Sequence, residues 1–125
     1  MEITATRAVA LTLDGLKRIR TLKGLLASLL VFNLIDIIAT LAVVLSGLAI
    51  EANPVMAEAL SLGPVIFCLA KLSLVSLGVM IIWRHRHRPA AMFAGGVACA
   101  AYTFVMLVHV KGAALASLHS GLLPQ

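Results

Sequence analysis

Three long apolar runs, at residues 25–50, 60–83 and 90–110, constrain the fold of this chain more than any other feature. Each run is longer than the roughly 20 residues that an α-helix needs to cross a bilayer. Of the 125 residues, 62% are hydrophobic and 12% are charged, whereas soluble proteins contain roughly 45–50% apolar and 25% charged residues. This composition excludes a water-soluble domain, and the length limits the chain to three crossings. We therefore predict an all-α fold, a three-helix transmembrane bundle, as one membrane domain over residues 25–110.

The basic residues are concentrated on one side of the predicted spans. Most of the ten Lys and Arg residues precede the first run or separate the second run from the third, whereas segment 51–59 contains none. Cytoplasmic segments of membrane proteins carry such an excess. We therefore expect a multi-pass protein of the inner (plasma) membrane, with a cytoplasmic N-terminus, an external C-terminus and anionic lipid as a partner at the inner leaflet. Nucleic acid is not an expected partner, because no aromatic residues alternate with the basic ones. The flanking bases are Arg7, Lys17, Arg18, Arg20, Lys23, Arg84, Arg86 and Arg88.

Residues 1–24 and 111–125 flank the predicted membrane domain. In residues 1–24, apolar residues near helical spacing alternate with basic ones, which is typical of an amphipathic interfacial helix on the inner leaflet. A partly ordered basic arm is the alternative interpretation. Residues 111–125 are too short to cross the membrane again, and we predict an interfacial turn of helix or a tail there.

Prolines mark the corners of the predicted bundle. An asparagine followed by a proline has the pattern of a helix N-cap with proline at the first helical position, and it predicts a short external helix over residues 54–62. Two further prolines interrupt the chain before the second and third spans. The three pairs are Asn53-Pro54, Gly63-Pro64 and Arg88-Pro89.

Each of the first two spans carries one ionisable residue near its middle, Asp36 in the first and Lys71 in the second. A charge at the bilayer centre costs about 2.5–3.5 kcal/mol on insertion scales, so we expect these two residues to face each other. Asn33 and Thr40 lie one turn from Asp36 on the same face and are expected to donate hydrogen bonds to its carboxylate. Tyr102 lies at similar depth in the third span. These five residues form the predicted intramembrane polar cluster.

The sequence leaves two main interpretations of this cluster. In the first, the pair is structural and fixes the register of two helices. In the second, the pair lines a path for a proton or ion, or holds a polar ligand, because ionisable groups within a membrane are functional candidates. A third interpretation exposes the pair to lipid in the monomer, with a partner chain covering it.

A second polar cluster is predicted at the outer ends of the spans, formed by Glu51, Asn53 and His109. The helix dipole disfavours a carboxylate at a helix C-terminus, so we expect Glu51 to pair with His109 or Lys111. A cation bound by Glu51, Asn53 and Glu58 is the alternative. Zinc-ligand spacing, a pair of histidines inside the spans and a phosphate-binding glycine loop are missing from the sequence, so we predict neither a metal site nor a cofactor.

Several short motifs occur together in an order and spacing that resembles a family of small prokaryotic integral membrane proteins with a domain of unknown function. They are Asn33-x-x-Asp36-x-x-x-Thr40, then Glu51-Ala52-Asn53-Pro54-Val55-Met56, then Gly63-Pro64, Lys71 and His109. The resemblance extends over roughly residues 30–110. It implies a three-helix membrane protein without an established activity, whose polar positions here are Asn33, Asp36, Thr40, Glu51, Asn53, Pro54 and Lys71.

We expect a membrane protein without enzymatic activity, because no grouping of nucleophile, base and acid is visible in the sequence. The favoured function is that of a structural or accessory subunit organised around the Asp36–Lys71 pair. The alternative is an oligomeric permeation unit for a proton, a cation or a small solute, which uses the same polar face. A permeation unit would have to form a homo-oligomer, because three helices enclose little space, and an accessory subunit would dock against a larger membrane complex.

Overall fold

The computed structural model describes residues 1–48, 50–51 and 53–120. Over these residues the chain is all-α and contains no β-strand, as predicted. Three of the helices include segments long and apolar enough to cross a membrane, in agreement with the three predicted spans. The helices are α1 (Glu2–Leu45), α2 (Pro54–Ser61), α3 (Pro64–Arg84) and α4 (Pro89–Ser120).

A proline begins each of the helices α2, α3 and α4, as the sequence predicts. The side-chain oxygen of Asn53 accepts a hydrogen bond from the amide of Val55 (3.0 Å) and so caps α2. Gly63 separates α2 from α3 and has φ +125°, a conformation that residues with a Cβ rarely adopt. This glycine therefore permits the turn that brings α2 against α3.

The amphipathic N-terminal segment and the first span form one continuous helix, because α1 runs for 44 residues. At 1.5 Å per residue this helix is about 66 Å long, more than twice the roughly 30 Å of bilayer hydrocarbon. The predicted boundary at residues 24–25 is therefore not a break in the helix. Gly15 and Gly24 are both accommodated, since a glycine inside a helix costs only about 1 kcal/mol.

The first span ends at Leu45, earlier than the predicted limit at residue 50. Gly47 follows with φ +73° and donates its amide to the carbonyl of Val44 (3.0 Å), while the amide of Leu48 donates to the carbonyl of Val43 (3.0 Å). These two bonds form a Schellman ending, which glycine favours because it adopts positive φ without strain. A turn signal thus stops α1 inside an apolar run.

The last helix continues through Ser120, beyond the predicted limit at residue 110, and residues 121–125 of the predicted tail lie outside the described residues. Helices α1 and α4 approach closely at Gly95, where an added Cβ would lie 3.0 Å from Leu22 Cδ1. The thiol of Cys99 donates to the carbonyl of Leu25 at 3.1 Å. The later residue of α4 contacts the later residue of α1, so the two helices run parallel, with small residues at the interface.

The buried face of α1 forms a seam with alternating spacings of three and four residues, which is the pattern of helices packed along their length. In its N-terminal half the seam is apolar, and Leu22 and Leu26 pack against Ala91 and the ring of Trp83. In its C-terminal half the seam is polar. The seam residues are Leu22, Leu26, Leu29, Asn33, Asp36 and Thr40.

Candidate functional site

Asp36 and Lys71 form an ion pair between α1 and α3. The Lys71 ammonium contacts Asp36 Oδ2, and the side chains of the two residues are only 14% and 4% exposed, respectively. Opposite charges attract strongly in a medium of low dielectric constant, and each partner offsets much of the cost of burying the other. The structure therefore brings together Asp36 and Lys71, which we expected to pair because each lies near the middle of its span.

The Lys71 ammonium also lies over an aromatic ring of its own helix. Its Nζ is 5.3 Å from the centre of the Phe67 ring, a distance at which the cation and the π-system attract each other. Phe67 is fully buried and packs with Ile37 and Met56. The ion pair is thus supported by a hydrophobic cluster that joins α1, α2 and α3.

His109 lies beside the second oxygen of the Asp36 carboxylate. Its Nδ1 is 3.7 Å from Asp36 Oδ1 and 3.0 Å from the carbonyl oxygen of Val105. A carbonyl oxygen only accepts hydrogen bonds, so this contact assigns the proton to Nδ1, which donates to Val105. Asp36 Oδ1 is enclosed and has no hydrogen-bond partner among the described residues. One oxygen of the carboxylate is therefore ion-paired and the other lacks a donor.

Tyr102 and Asn33 connect α4 to α1 one turn from the ion pair. The Tyr102 hydroxyl donates to Asn33 Oδ1 at 3.1 Å. Asn33 is fully buried, and its Nδ2 finds no partner within the described part of the chain. We expected Asn33 and Thr40 to donate to the Asp36 carboxylate, but Oδ1 receives a hydrogen bond from neither. Asn33 instead uses its oxygen to bind the Tyr102 hydroxyl.

The structure divides the predicted outer cluster into two parts. Glu51 and Asn53 form a local turn, in which the Asn53 amide donates to Glu51 Oε1 (2.9 Å). His109 lies deeper, against Asp36, and the ion pairs of the described residues do not join it to Glu51. The cause of this difference is the length of α4, which continues beyond His109 and places this residue inside the helix rather than at its end.

A cavity of about 590 Å³ joins the two predicted clusters. Four residues of the intramembrane cluster and all three residues of the outer cluster line it. The fifth intramembrane residue, Asn33, is not part of the lining but accepts a hydrogen bond from Tyr102, which is. This volume lies within the roughly 300–1,000 Å³ typical of small-molecule sites. The polar lining residues are Asp36, Thr40, Glu51, Asn53, Lys71, Tyr102 and His109, and the apolar ones include Val43, Val44, Ile50, Met56, Phe104, Val105 and Val108.

The cavity has its polar floor at the ion pair, and an apolar core follows toward the N-terminal end of α1. The buried seam residues of α1 in that direction are Leu29, Leu26 and Leu22. Ala91 and Trp83 pack against the last two. Within the described residues, the interface between the helices is therefore apolar in the half that contains Leu22 and Leu26 and polar in the half nearer Glu51.

The basic residues of α1 and of the α3–α4 connection meet at the opposite end of the bundle. The Arg18 guanidinium donates to the carbonyl of His87 at 3.3 Å. In the same connection, the Arg86 guanidinium stacks on the Trp83 ring at 5.0 Å from its centre. The two basic stretches, which are far apart in sequence, thus form one charged end.

Sequence reasoning did not identify the roles of Phe67 and His109 in the Asp36–Lys71 site. Phe67 precedes Lys71 by four residues, and residues at this spacing are neighbours on a helix surface. His109 shares a helical face with Tyr102, two turns away. Helical spacing could have indicated that each residue lies near the site. The depth of His109, however, could be predicted only if the true end of α4 were known.

Comparison with curated proteins and with solved structures finds no match. Residues 27–115 match a family described as a domain of unknown function, DUF5658. The matched region contains every residue that lines the cavity and leaves out most of the basic N-terminal part of α1. Since the match covers well over half of the sequence, the chain belongs to the DUF5658 family.

Proposed function

We propose that this protein is a non-enzymatic, multi-pass protein of the inner (plasma) membrane and serves as a structural or accessory subunit of a larger membrane assembly. The observation that carries the proposal is the ion pair of Asp36 and Lys71, whose charges are matched within the chain and enclosed by helix packing. A pair of this kind holds two helices in register. The outward faces of the helices are then available to other subunits.

The exposure of the spans supports an assembly with further chains or with lipid. In the apolar window of α1, 28% of the residues are buried within the chain, against 6% in α3 and 11% in α4. Helices α3 and α4 therefore present most of their apolar surface outward. Membrane helices associate through such surfaces by close packing, and we propose either a second copy of the chain or a larger membrane protein as the partner.

The charged end of the bundle supports an orientation with the N-terminus in the cytoplasm and the C-terminus outside. Arg18 and His87 bring the basic stretch of α1 and the α3–α4 connection to the same end. Segments rich in Lys and Arg remain cytoplasmic. Anionic lipid of the inner leaflet is the partner that we propose for this end, at about 1 kcal/mol for each basic residue near the surface.

A second candidate function is an oligomeric permeation unit for a proton, a cation or a small solute. The cavity favours it, because it combines Asp36, Glu51 and Lys71 in one space. The apolar seam beyond the ion pair disfavours it for a single chain, since a polar path would have to pass Leu29, Leu26 and Leu22. A path of this kind requires a second chain to complete it.

A two-part experiment separates the two functions. The tagged full-length protein is extracted from native membranes in mild detergent, and it is also reconstituted alone into liposomes with an imposed proton or cation gradient. The accessory function predicts one membrane protein at fixed stoichiometry in the extract and no flux above that of empty liposomes. Purification of the chain without a partner, together with flux that Asp36→Asn abolishes, would instead establish permeation. Asp14→Asn, at an exposed position of the same helix, is the control for flux.

A further inference from the structure

One residue that lines the cavity, Asp36, carries a hydrogen-bond acceptor without a donor in the described part of the chain. Asp36 Oδ1 is buried and without a hydrogen-bond partner there, although it belongs to a residue that lines the cavity. The Nδ1 nitrogen of His109 is used within its own helix, where it donates to the carbonyl of Val105. Some donors on the cavity wall already have partners: the Lys71 ammonium contacts Asp36, and the Tyr102 hydroxyl donates to Asn33.

The charges of the lining lead to the same conclusion as its hydrogen bonds. Two carboxylates, Asp36 and Glu51, line the cavity with one ammonium, that of Lys71. Counted over its carboxylates and its ammonium, the lining carries an excess of one negative charge. Walls of low dielectric constant concentrate this field in the cavity, so a cation is attracted and an anion is repelled.

The walls of the cavity are suited to an apolar molecule. Val44 of α1, Met56 of α2, and Val105 and Val108 of α4 are among the side chains that form them. Small-molecule sites combine such apolar walls with a few polar groups that orient the ligand. The polar groups here are confined to the floor, at Asp36, and to the rim.

We propose that the cavity binds an apolar molecule that carries one protonated primary amine. Its ammonium lies between Asp36 and Glu51 and donates hydrogen bonds to the acceptors there, and its apolar body lies against the walls from α1 and α4. The His109 ring is 32% exposed, and its hydrogen bond among the described residues is to Val105 of its own helix, so rotation of this side chain uncovers Asp36 Oδ1. This ligand class goes beyond the accessory function proposed above.

A free lipophilic amine supplies this chemistry, whereas in an aminophospholipid an anionic phosphate separates the amine from the apolar chains. The test uses the full-length protein in phosphatidylcholine nanodiscs, because the methylated choline nitrogen donates no hydrogen bond. The probes are adamantyl amine, adamantanol and adamantane carboxylate, which share one apolar body and differ in their polar group. Equilibrium binding of each labelled probe is measured and corrected for protein-free nanodiscs.

We expect saturable binding of one amine per chain, with an affinity about tenfold or more above that of the alcohol and weaker still for the carboxylate. Val108→Phe fills the cavity and is expected to weaken amine binding about tenfold, whereas Val110→Phe, at an exposed position outside the lining, leaves it unchanged. Glu51→Gln removes a partly exposed charge and is expected to weaken binding by about threefold. Glu58→Gln is its matched control, outside the lining.

Equal affinities for the three probes, or uptake no greater than that of protein-free nanodiscs, would overturn the proposal. The same conclusion follows if Val108→Phe binds the amine as tightly as the wild-type protein. Thermal unfolding of each variant shows whether it is folded, and Glu51→Gln changes a rim residue that does not pack in the core. Competition by added phosphatidylethanolamine would overturn the assignment to a free amine, and its lack of effect is the expected result.

Discussion

Replacing Lys71 with methionine tests the central contact of the fold. Methionine keeps the unbranched side chain up to the ε position and removes the charge, so the Asp36 carboxylate remains in its buried position without its partner. Asp36 is 3% exposed, and its other oxygen already lacks a hydrogen bond among the described residues. We expect Lys71→Met to lower the free energy of unfolding by about 3–5 kcal/mol, the cost of leaving one member of a buried pair uncompensated.

Replacing the other member of the pair, by Asp36→Asn, is expected to lower the free energy of unfolding by less. The Lys71 side chain is 14% exposed, and its ammonium keeps the Phe67 ring as a second partner. The double variant Asp36→Asn with Lys71→Met removes both charges and strands neither of them. It should therefore be more stable than the sum of the two single effects predicts, by about 2–3 kcal/mol of coupling energy.

Unfolding by sodium dodecyl sulfate in mixed micelles, followed by tryptophan fluorescence, measures these differences. Trp83 is the single tryptophan of the chain and packs against Leu22, Leu26 and Ala91, so its emission reports the contact of α1 with α3 and α4. Asp14→Asn and Lys111→Met change the same residue types at exposed positions and should alter stability by less than about 0.5 kcal/mol.

Additive effects of the two single substitutions would refute this reasoning. In that case the charges do not stabilise each other, whatever the distance between them. Equally, single variants that unfold at the same detergent fraction as the two exposed controls would show that the ion pair contributes nothing to holding α1 against α3.

Three further predictions follow from individual contacts. Gly95→Val is expected to cost about 1–3 kcal/mol in the same unfolding assay, because its Cβ meets the fully buried Leu22, whereas Gly96→Val has open space and should cost less. Tyr102→Phe removes the only donor to Asn33 Oδ1 among the described residues and should cost about 1–3 kcal/mol, in contrast to Thr103→Val at an exposed position. Single cysteines at positions 86 and 120, in a chain with Cys68 and Cys99 replaced by alanine, should be labelled from opposite sides of the membrane, with position 120 reactive from outside in intact cells; labelling from the same side would refute the orientation.

The fold could be predicted from the sequence wherever hydrophobicity or turn chemistry acts alone. Apolar length gives the three spans, and the prolines give the first residues of α2, α3 and α4. The ends of the spans were harder to predict, because an apolar run does not distinguish helix from the turn that follows it. Gly47 ends α1 within such a run, and no glycine or proline stops α4 at residue 110.

The candidate site could be predicted in part, because helical periodicity assigns residues to a face more reliably than to a depth. Asn33, Asp36 and Thr40 share the buried face of α1 that their spacing predicts. His109 lies on the same face of α4 as Tyr102, but its height relative to Asp36 depends on the parallel register of two helices that are far apart in sequence. That register is set by Gly95 and Cys99 against α1, a tertiary contact that a single sequence does not encode locally.

The polar half of the α1 seam is costly for the stability of this chain. Asn33 Nδ2 and Asp36 Oδ1 are buried without hydrogen-bond partners among the described residues, and each such atom costs about 1–3 kcal/mol. An apolar seam such as that of Leu22, Leu26 and Leu29 would hold the helices together without this cost, since replacing a buried ion pair by well-packed apolar residues is often neutral or stabilising. Structural register accounts for one charged pair, but it does not account for the buried, unpaired oxygen of Asp36 beside a cavity that Glu51 also lines. The arrangement is explained if the acceptor serves a ligand that donates a hydrogen bond, because the cost is then recovered on binding. For this reason the binding experiment on the cavity is the more direct test of what the polar seam is for.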